Sequence, residues 1–189
     1  SFPTRRSSDL VDKFVVLSYE DKENWPELDN VTVIHNPIEK FPETSSDCSS
    51  KMVITAGRFV GQKGFDMLLD SWKIVSEKHP DWSLSIYGNG DKGLYREQMK
   101  KNRIEKSCHI YDAVPDLTDK FCESSIFAFS SRFEGFALVL TEAMSCGLPP
   151  VAFSCPCGPK DLITNNKDGI LVTPENVTEL ADRISYLIE

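Results

Sequence analysis

Short apolar runs and helical apolar patterns alternate along the chain from residue 52, and this alternation limits the fold more than any other feature. Residues 53–56 form an apolar run of strand length, and a second run follows at 82–87. Between them, large apolar side chains recur at helical spacing, at Phe65, Leu68, Leu69, Trp72 and Val75. A strand, a helix and a further strand form a βαβ unit with parallel strands. We therefore predict an α/β fold built on a Rossmann-like, doubly wound parallel sheet.

The alternation continues to the end of the chain. We predict helices at 92–101, 117–122 and 137–146, strands at 109–111, 126–129, 151–153 and 170–172, and a last helix from about residue 177. Ligands of such sheets bind beyond the carboxyl ends of the strands. The loops after Ala56, Gly88, Tyr111 and Phe129 are therefore the expected binding region.

The first fifty residues follow a different pattern. Two short apolar strands, 14–17 and 31–34, flank a polar, acidic stretch and are too few to make a sheet alone. Residues 1–10 show no periodicity, so we expect either a tail or a sequence that is not native to the domain. Residues 43–50 are polar and rich in serine, which is typical of a linker and predicts a domain boundary. Because the chain starts at Ser1 and ends inside a helical pattern, we expect a fragment of a longer protein.

Charge and composition argue against several function classes. The 189 residues include 21 basic and 29 acidic side chains, a net charge of -8, and no basic stripe stands out, so nucleic acid is not an expected partner. No apolar run approaches the roughly 20 residues that span a bilayer, and no signal segment opens the chain, so we expect a cytoplasmic protein. The six cysteines lack the spacing of a metal site, which predicts reduced thiols and no bound metal.

Two loops carry the residue types that bind anions and sugars. After the strand that ends at Ala56, Arg58 and Lys63 bring two cations to the start of a helix, where free N–H groups favour an anion. After the strand 126–129, Glu134 and Gly135 lie in a loop that opens a helix, and Glu142 lies two turns along that helix among apolar residues. A carboxylate in that setting needs a hydrogen-bonding partner, which a ribose diol, a backbone amide or a basic side chain could supply.

These motifs occur together in a characteristic order. Ala56-Gly57-Arg58 and Lys63-Gly64 are followed by the run 131–136, by Glu142-Ala143-Met144, by Gly158-Pro159 and by the run 168–172. Glu134 and Glu142 are separated by seven residues. In this combination the chain resembles glycosyltransferase family 4 over residues 14–189.

The resemblance implies a retaining enzyme of the GT-B fold, in which two Rossmann-like domains flank the active site. It assigns 51–189 to the donor-binding domain, truncated at its C-terminus, and 11–42 to a remnant of the acceptor-binding domain. It also implies a hexosyltransferase of polysaccharide biosynthesis that uses a UDP- or GDP-sugar donor and a saccharide or lipid-linked acceptor. The missing N-terminal domain would supply peripheral contact with the inner face of the membrane. The isolated fragment is expected to be inactive.

The resemblance also assigns residues to roles. Arg58 and Lys63 would hold the donor diphosphate in place of a metal ion, with Gly57 beside them, so no cofactor is expected. Glu134 would be the catalytic residue that contacts the transferring sugar. Glu142 would accept hydrogen bonds from the ribose, and Val114 would contact the base. The backbone of Gly135, Phe136, Ala137 and Leu138 would present N–H groups to sugar and phosphate. The chain departs from the family pattern at Ala137, where glycine is common, and at Lys160-Asp161, where a glutamate often follows Gly-Pro.

Two other interpretations remain open. The run from Gly88 to Gly93 matches G-x-G-x-x-G between a strand and a helix, and Asp112 follows about 20 residues later, as in an NAD(P)-binding oxidoreductase domain. That fingerprint normally belongs to the first βαβ unit of its domain, whereas a strand and a helix precede it here. The second alternative is a non-catalytic nucleotide-binding module that keeps the fold without the chemistry.

Overall fold

A computed structural model of the chain describes residues 11–38 and 41–189. Its main sheet contains six parallel strands, β3 (Met52–Ala56), β4 (Ser83–Tyr87), β5 (Cys108–Tyr111), β6 (Ile126–Phe129), β7 (Pro150–Phe153) and β8 (Ile170–Val172). They are ordered β5-β4-β3-β6-β7-β8, so the order reverses between β3 and β6. Such a switch point leaves a crevice at the carboxyl ends of the strands. The predicted doubly wound parallel sheet is confirmed.

Helices cover both faces of the sheet. The helices α2 (Phe65–Lys78), α3 (Gly93–Asn102) and α7 (Val177–Ile188) pack on one face, and α4 (Thr118–Cys122) and α5 (Leu138–Ser145) pack on the other. Each strand serves both cores because its side chains alternate, so Val53 faces one cluster and Ile54 faces the other. Across residues 11–38 and 41–189, none of the helices combines the length and apolar character needed to cross a membrane.

A smaller unit precedes this sheet. The strands β1 (Phe14–Val16) and β2 (Val31–Val33) pair in parallel with each other, and α1 (Tyr19–Glu23) follows β1. The sequence pattern did not predict α1 or the short helix α6 (Pro159–Leu162), since each has little more than one turn and helical propensity alone does not hold so short a helix. Contacts between them supply the stability. The Glu20 carboxylate accepts hydrogen bonds from the Cys157 N–H at 2.7 Å and from Lys160 Nζ at 2.8 Å.

The segment 43–50 runs along the surface of the larger unit. The Ser46 N–H donates to the Cys146 carbonyl oxygen at 2.8 Å, and the Cys122 thiol lies 3.1 Å from the carbonyl oxygen of Thr44. The segment is therefore bonded to α4 and to the end of α5. The predicted tail, 1–10, lies outside the described residues, as do 39 and 40 of the predicted remnant. The division into domains stays a prediction.

Candidate functional site

A cleft of about 410 Å³ opens at the carboxyl ends of β3, β4, β5 and β6, and it includes the point between β3 and β6 where the sheet order reverses. Residues from the four loops that the sequence pattern singled out line it together. They include Gly57, Arg58, Lys63, Tyr87, Asn89, Val114, Leu117, Phe136, Leu138 and Glu142. Seven of the ten predicted site residues therefore line a single cleft.

Lys63 and Glu134 form an ion pair beside this cleft. The distance from Lys63 Nζ to Glu134 Oε1 is 2.8 Å, and the two side chains are 15% and 7% exposed. The two residues are 71 positions apart in the chain and meet because β3 and β6 are neighbours in the sheet. The aliphatic part of Lys63 crosses Gly57, where a Cβ would lie 3.2 Å from Lys63 Cδ. A glycine at 57 therefore leaves room for the lysine chain.

Arg58 and Glu142 lie on the open parts of the cleft wall. Arg58 is exposed, and its guanidinium has no ion-pair partner among residues 11–38 and 41–189. Glu142 is exposed on α5 and also borders a second hollow of about 480 Å³ that continues towards 36–38. Val114, Leu117 and Leu138 are shared by the two hollows. The cleft accordingly has a cationic end at Arg58 and Lys63 and an acidic edge at Glu142.

Only some residues of the loop before α5 line the cleft. Gly135 is exposed, and a Cβ there would have no heavy atom within 4 Å, whereas Phe136 lines the wall. Ala137 is 1% exposed and packs behind the wall against Gly158, where an added Cβ would lie 3.2 Å from the Ala137 Cβ. The Leu138 N–H donates to the Phe136 carbonyl oxygen at 3.0 Å, so this amide is bonded inside the loop.

Several cleft and supporting residues have no counterpart in the predicted set. Tyr87, Asn89 and Leu117 line the cleft, and their position at strand ends was the signal that could have identified them. Arg132 belongs to the motif at 131–136, but the sequence predicted no role for it. It forms a bidentate ion pair with Asp66, at 2.9 and 2.7 Å, and its hydrogen bond lowers the pKa of the Asp66 carboxyl against the opposing effect of burial.

The residues of the dinucleotide-like pattern have other partners. A Cβ on Gly88 would lie 1.8 Å from the carbonyl oxygen of Gly57, so the glycine allows the loops after β3 and β4 to touch. The Phe59 N–H donates to the Asn89 carbonyl oxygen at 2.7 Å, which joins the same loops. Asp112 forms an ion pair with Lys92. Gly88 and Asp112 are therefore explained by packing and pairing within the domain.

The described residues also show how the cysteines and the possible metal ligands are arranged. The part of the chain that the structure describes contains no group of three or more His, Cys, Asp or Glu side chains placed to hold a metal ion. All six cysteines are free thiols. Cys155 lies behind the Lys63–Glu134 pair, and burial raises its pKa to about 12, so it stays a neutral thiol.

The family model for glycosyl transferases group 1 matches residues 38–189, which include the whole six-stranded sheet and its cleft. The chain belongs to this glycosyltransferase family. The sheet and its flanking helices are one Rossmann-like half of the GT-B fold. This membership confirms the prediction of a glycosyltransferase family that was drawn from residues 131–147.

Known relatives of this glycosyltransferase match nearly all of the chain. It is 34% identical over 182 residues to an uncharacterized glycosyltransferase of Haemophilus influenzae, covering 94% of the chain and 52% of that protein. It is 31% identical over 191 residues to the amylovoran biosynthesis glycosyltransferase AmsD of Erwinia amylovora, covering 95% of the chain and 53% of that protein. The chain thus spans about half the length of these relatives.

A crystal structure of a Staphylococcus aureus TarM mutant, in complex with fondaparinux, alpha-GlcNAc-glycerol and UDP, has the same arrangement of elements. The match has a TM-score of 0.87 and 25% sequence identity, and it covers 96% of this chain and 38% of TarM. The likeness extends over the small unit at the start of the chain as well as the six-stranded sheet.

Proposed function

We propose that this chain is the nucleotide-sugar-binding part of a retaining glycosyltransferase of family 4, which transfers a hexose to a saccharide or lipid-linked acceptor. The observation that supports this most is the buried Lys63–Glu134 pair near exposed Arg58, because it combines two cations that line one cleft with a carboxylate in contact with one of them. A sugar diphosphate needs cations at its phosphates and a carboxylate near its anomeric carbon. Arg58 and Lys63 line the cleft, and the Glu134 carboxylate lies beside it, 2.8 Å from Lys63 Nζ.

In the proposed reaction, the bond between the anomeric carbon and the diphosphate oxygen breaks, and its electron pair stays on the phosphate. An acceptor hydroxyl oxygen forms the new bond to the anomeric carbon, and its proton passes to the departing phosphate oxygen. Arg58 and Lys63 stabilise the charge that grows there, so the role of a metal ion falls to these two side chains. Glu134 stabilises the positive charge that develops on the sugar ring. Gly135 and Phe136 offer backbone N–H groups to the sugar and phosphate from the loop before α5.

The nucleoside is proposed to lie between Glu142 and Val114. Glu142 accepts hydrogen bonds from the ribose hydroxyls, and the base contacts the loop at 113–114 and the ring of Tyr87, which also line the cleft. TarM was crystallised with UDP, which favours UDP over GDP as the nucleotide, while both remain to be tested. The name of AmsD points to polysaccharide biosynthesis as the process.

Calorimetric titration of the purified chain with UDP, GDP and NADH tests the donor site. We expect one nucleoside diphosphate to bind and NADH to bind far more weakly. Lys63→Ala should reduce the diphosphate affinity about tenfold, since a charge-assisted contact to phosphate is lost. Tight NADH binding without UDP or GDP binding would overturn the proposal and favour an oxidoreductase domain.

The transfer step is tested in the full-length enzyme, with a panel of UDP- and GDP-sugars and release of the nucleotide as the readout. We expect Glu134→Ala to abolish release while the chain alone shows none, because the acceptor site lies in the other half of a GT-B enzyme. Unchanged turnover of Glu134→Ala would indicate the alternative, in which this chain binds the nucleotide but does not contribute the catalytic group.

A further inference from the structure

Arg132 joins two loops at the cationic end of the cleft. Its Nη1 and Nη2 donate to the two carboxylate oxygens of Asp66, at 2.9 and 2.7 Å, and Nη1 also donates to the Gly61 carbonyl oxygen at 2.6 Å. Its backbone N–H donates to the Gln62 carbonyl oxygen at 2.8 Å. A planar guanidinium suits such a bidentate contact, which fixes direction as well as distance.

Neighbouring side chains strengthen the same connection. Gln62 Nε2 donates to the Phe133 carbonyl oxygen at 2.9 Å, and Ser130 Oγ donates to the Lys63 carbonyl oxygen at 2.9 Å. The 3-10 turn Gly61–Lys63 is therefore bonded along its length to residues 130–133. Lys63 ends this turn and Glu134 follows those residues, so the bonds between the loops set where the two charged side chains meet.

We infer that Arg132 is a positioning residue for the donor site, which holds the Lys63 ammonium in place for the diphosphate. The inference rests on the proposed function of the cleft. Arg132 itself is not among the residues that line the cleft. Its guanidinium donates hydrogen bonds to Asp66 and Gly61, and its Nε lies 3.6 Å from a carboxylate oxygen of Glu175. It acts on the donor through Lys63.

The test compares a diphosphate with its nucleoside. This chain is titrated with UDP or GDP, whichever the wild type binds, by calorimetry, and with uridine or guanosine by NMR. We expect Arg132→Ala to weaken diphosphate binding about fivefold, the loss of one well-placed charged contact, and to leave nucleoside binding unchanged. The nucleoside lacks the phosphates that Lys63 would contact, so a general loss of structure would weaken both ligands.

A double variant tests the route through Lys63. In the Lys63→Ala background, Arg132→Ala should cause no further loss, because the group that it positions is gone. Asp66→Asn keeps the shape of the pair without its charge and should reproduce part of the Arg132→Ala effect. Asp66→Asn also tests the positioning role if Arg132→Ala does not fold. Arg132→Lys, which cannot make the bidentate contact, should rescue binding only in part.

The Lys78–Asp182 pair is a matched control. Lys78 lies on the same helix as Asp66, and its Nζ is 3.1 Å from Asp182 Oδ1 on α7, away from the cleft. Lys78→Ala should leave both affinities at the wild-type values. The positioning role would be overturned if Arg132→Ala weakened diphosphate and nucleoside binding equally. It would also be overturned if the loss of diphosphate affinity caused by Arg132→Ala added fully to the loss caused by Lys63→Ala.

The outcomes separate the two proposals. If the wild-type chain binds neither diphosphate, the donor site itself is wrong and the role of Arg132 fails with it. If the wild type binds and Lys63→Ala weakens binding, but Arg132→Ala and Asp66→Asn match the wild type, the positioning role alone is wrong.

Discussion

At the scale of single residues, the pairing of Lys63 with Glu134 decides how the cleft presents its charges. Both side chains are largely buried and lie 2.8 Å apart, so each satisfies a charge that would be costly to bury alone. A donor diphosphate would compete with Glu134 for the lysine. Arg58, which is exposed, is the first cation that such a ligand would meet.

This competition predicts an unusual effect of Glu134→Gln. The amide keeps the size of the side chain and an oxygen for Lys63, but it removes a negative charge close to the diphosphate. We expect UDP or GDP to bind this chain roughly fivefold more tightly, since the repulsion removed is worth about 1 kcal/mol or more at such distances. Sugar transfer by the full-length enzyme should nevertheless be lost.

Calorimetry of the chain and nucleotide release by the full-length enzyme measure the two effects. Asp182→Asn is the control, because Asp182 pairs with Lys78 at 3.1 Å, away from the cleft, and should change neither quantity. Weaker diphosphate binding by Glu134→Gln would contradict the competition for Lys63.

At the scale of secondary-structure elements, the Arg132–Asp66 pair ties the start of α2 to the loop after β6. The hydrogen bond from Arg132 lowers the pKa of the Asp66 carboxyl, and burial opposes it without cancelling it. A carboxylate whose pKa is lower in the folded state stabilises the fold above its unfolded pKa. That contribution is lost as the pH falls through the folded value.

We therefore expect the cost of Asp66→Asn to depend on pH. At neutral pH the variant should lose about 0.5 kcal/mol of unfolding free energy, a modest value because the Asp66 side chain is 43% exposed and screened by solvent. The difference from the wild type should shrink below about pH 4, where unfolded aspartate begins to take up its proton. Urea unfolding of both proteins across this range measures it, and a constant difference would show that the charge is not involved.

At the scale of the whole molecule, the sheet separates two cores. The cluster around Trp72 and Leu68 lies beneath α2 and α7, and the cluster around Phe127 and Leu140 lies beneath α4 and α5. Each of the two cores contains at least one buried thiol. Cys108 belongs to the first cluster, and Cys146 and Cys155 belong to the second. Burial raises the pKa of Cys108 and Cys155 to about 12 and that of Cys146 to about 11.

These thiols predict a two-class labelling pattern. At about pH 8 the buried thiols carry roughly one thiolate in a thousand or fewer and are shielded from reagent, so they should react only when the protein unfolds. Cys48 is exposed and should react at once. If the sheet unfolds as one unit, Cys108 and Cys155 should become reactive at the same rate, although they lie in different cores.

Mass spectrometry after timed alkylation follows each cysteine separately, and labelling in guanidinium gives the complete reaction. Cys157, which is only partly exposed, provides an intermediate reference. A faster reaction at Cys155 than at Cys108 would show that the face bearing α5 opens independently of the other.

The sequence allowed much of the fold to be predicted, because parallel strands and their helices carry local patterns. The strands from β3 to β8 and the helices α3, α4 and α5 appear within one residue of their predicted bounds. The two short helices escaped prediction because their stability comes from contacts such as Glu20 with Lys160, which are 140 residues apart. For the site, the loop positions were predictable, and seven of the ten chosen residues line one cleft.

The sequence by itself determined the α/β class, the parallel sheet and the loops that face a ligand, since these follow from periodicity and from the geometry of βαβ units. Only the tertiary structure decided which charged groups pair there. The contact of Lys63 with Glu134 and that of Arg132 with Asp66 each join residues far apart in the chain, and they exist because β3 and β6 lie side by side. The pairing of β3 with β4 likewise brings Gly88 against Gly57, a packing role that no local pattern distinguishes from ligand binding.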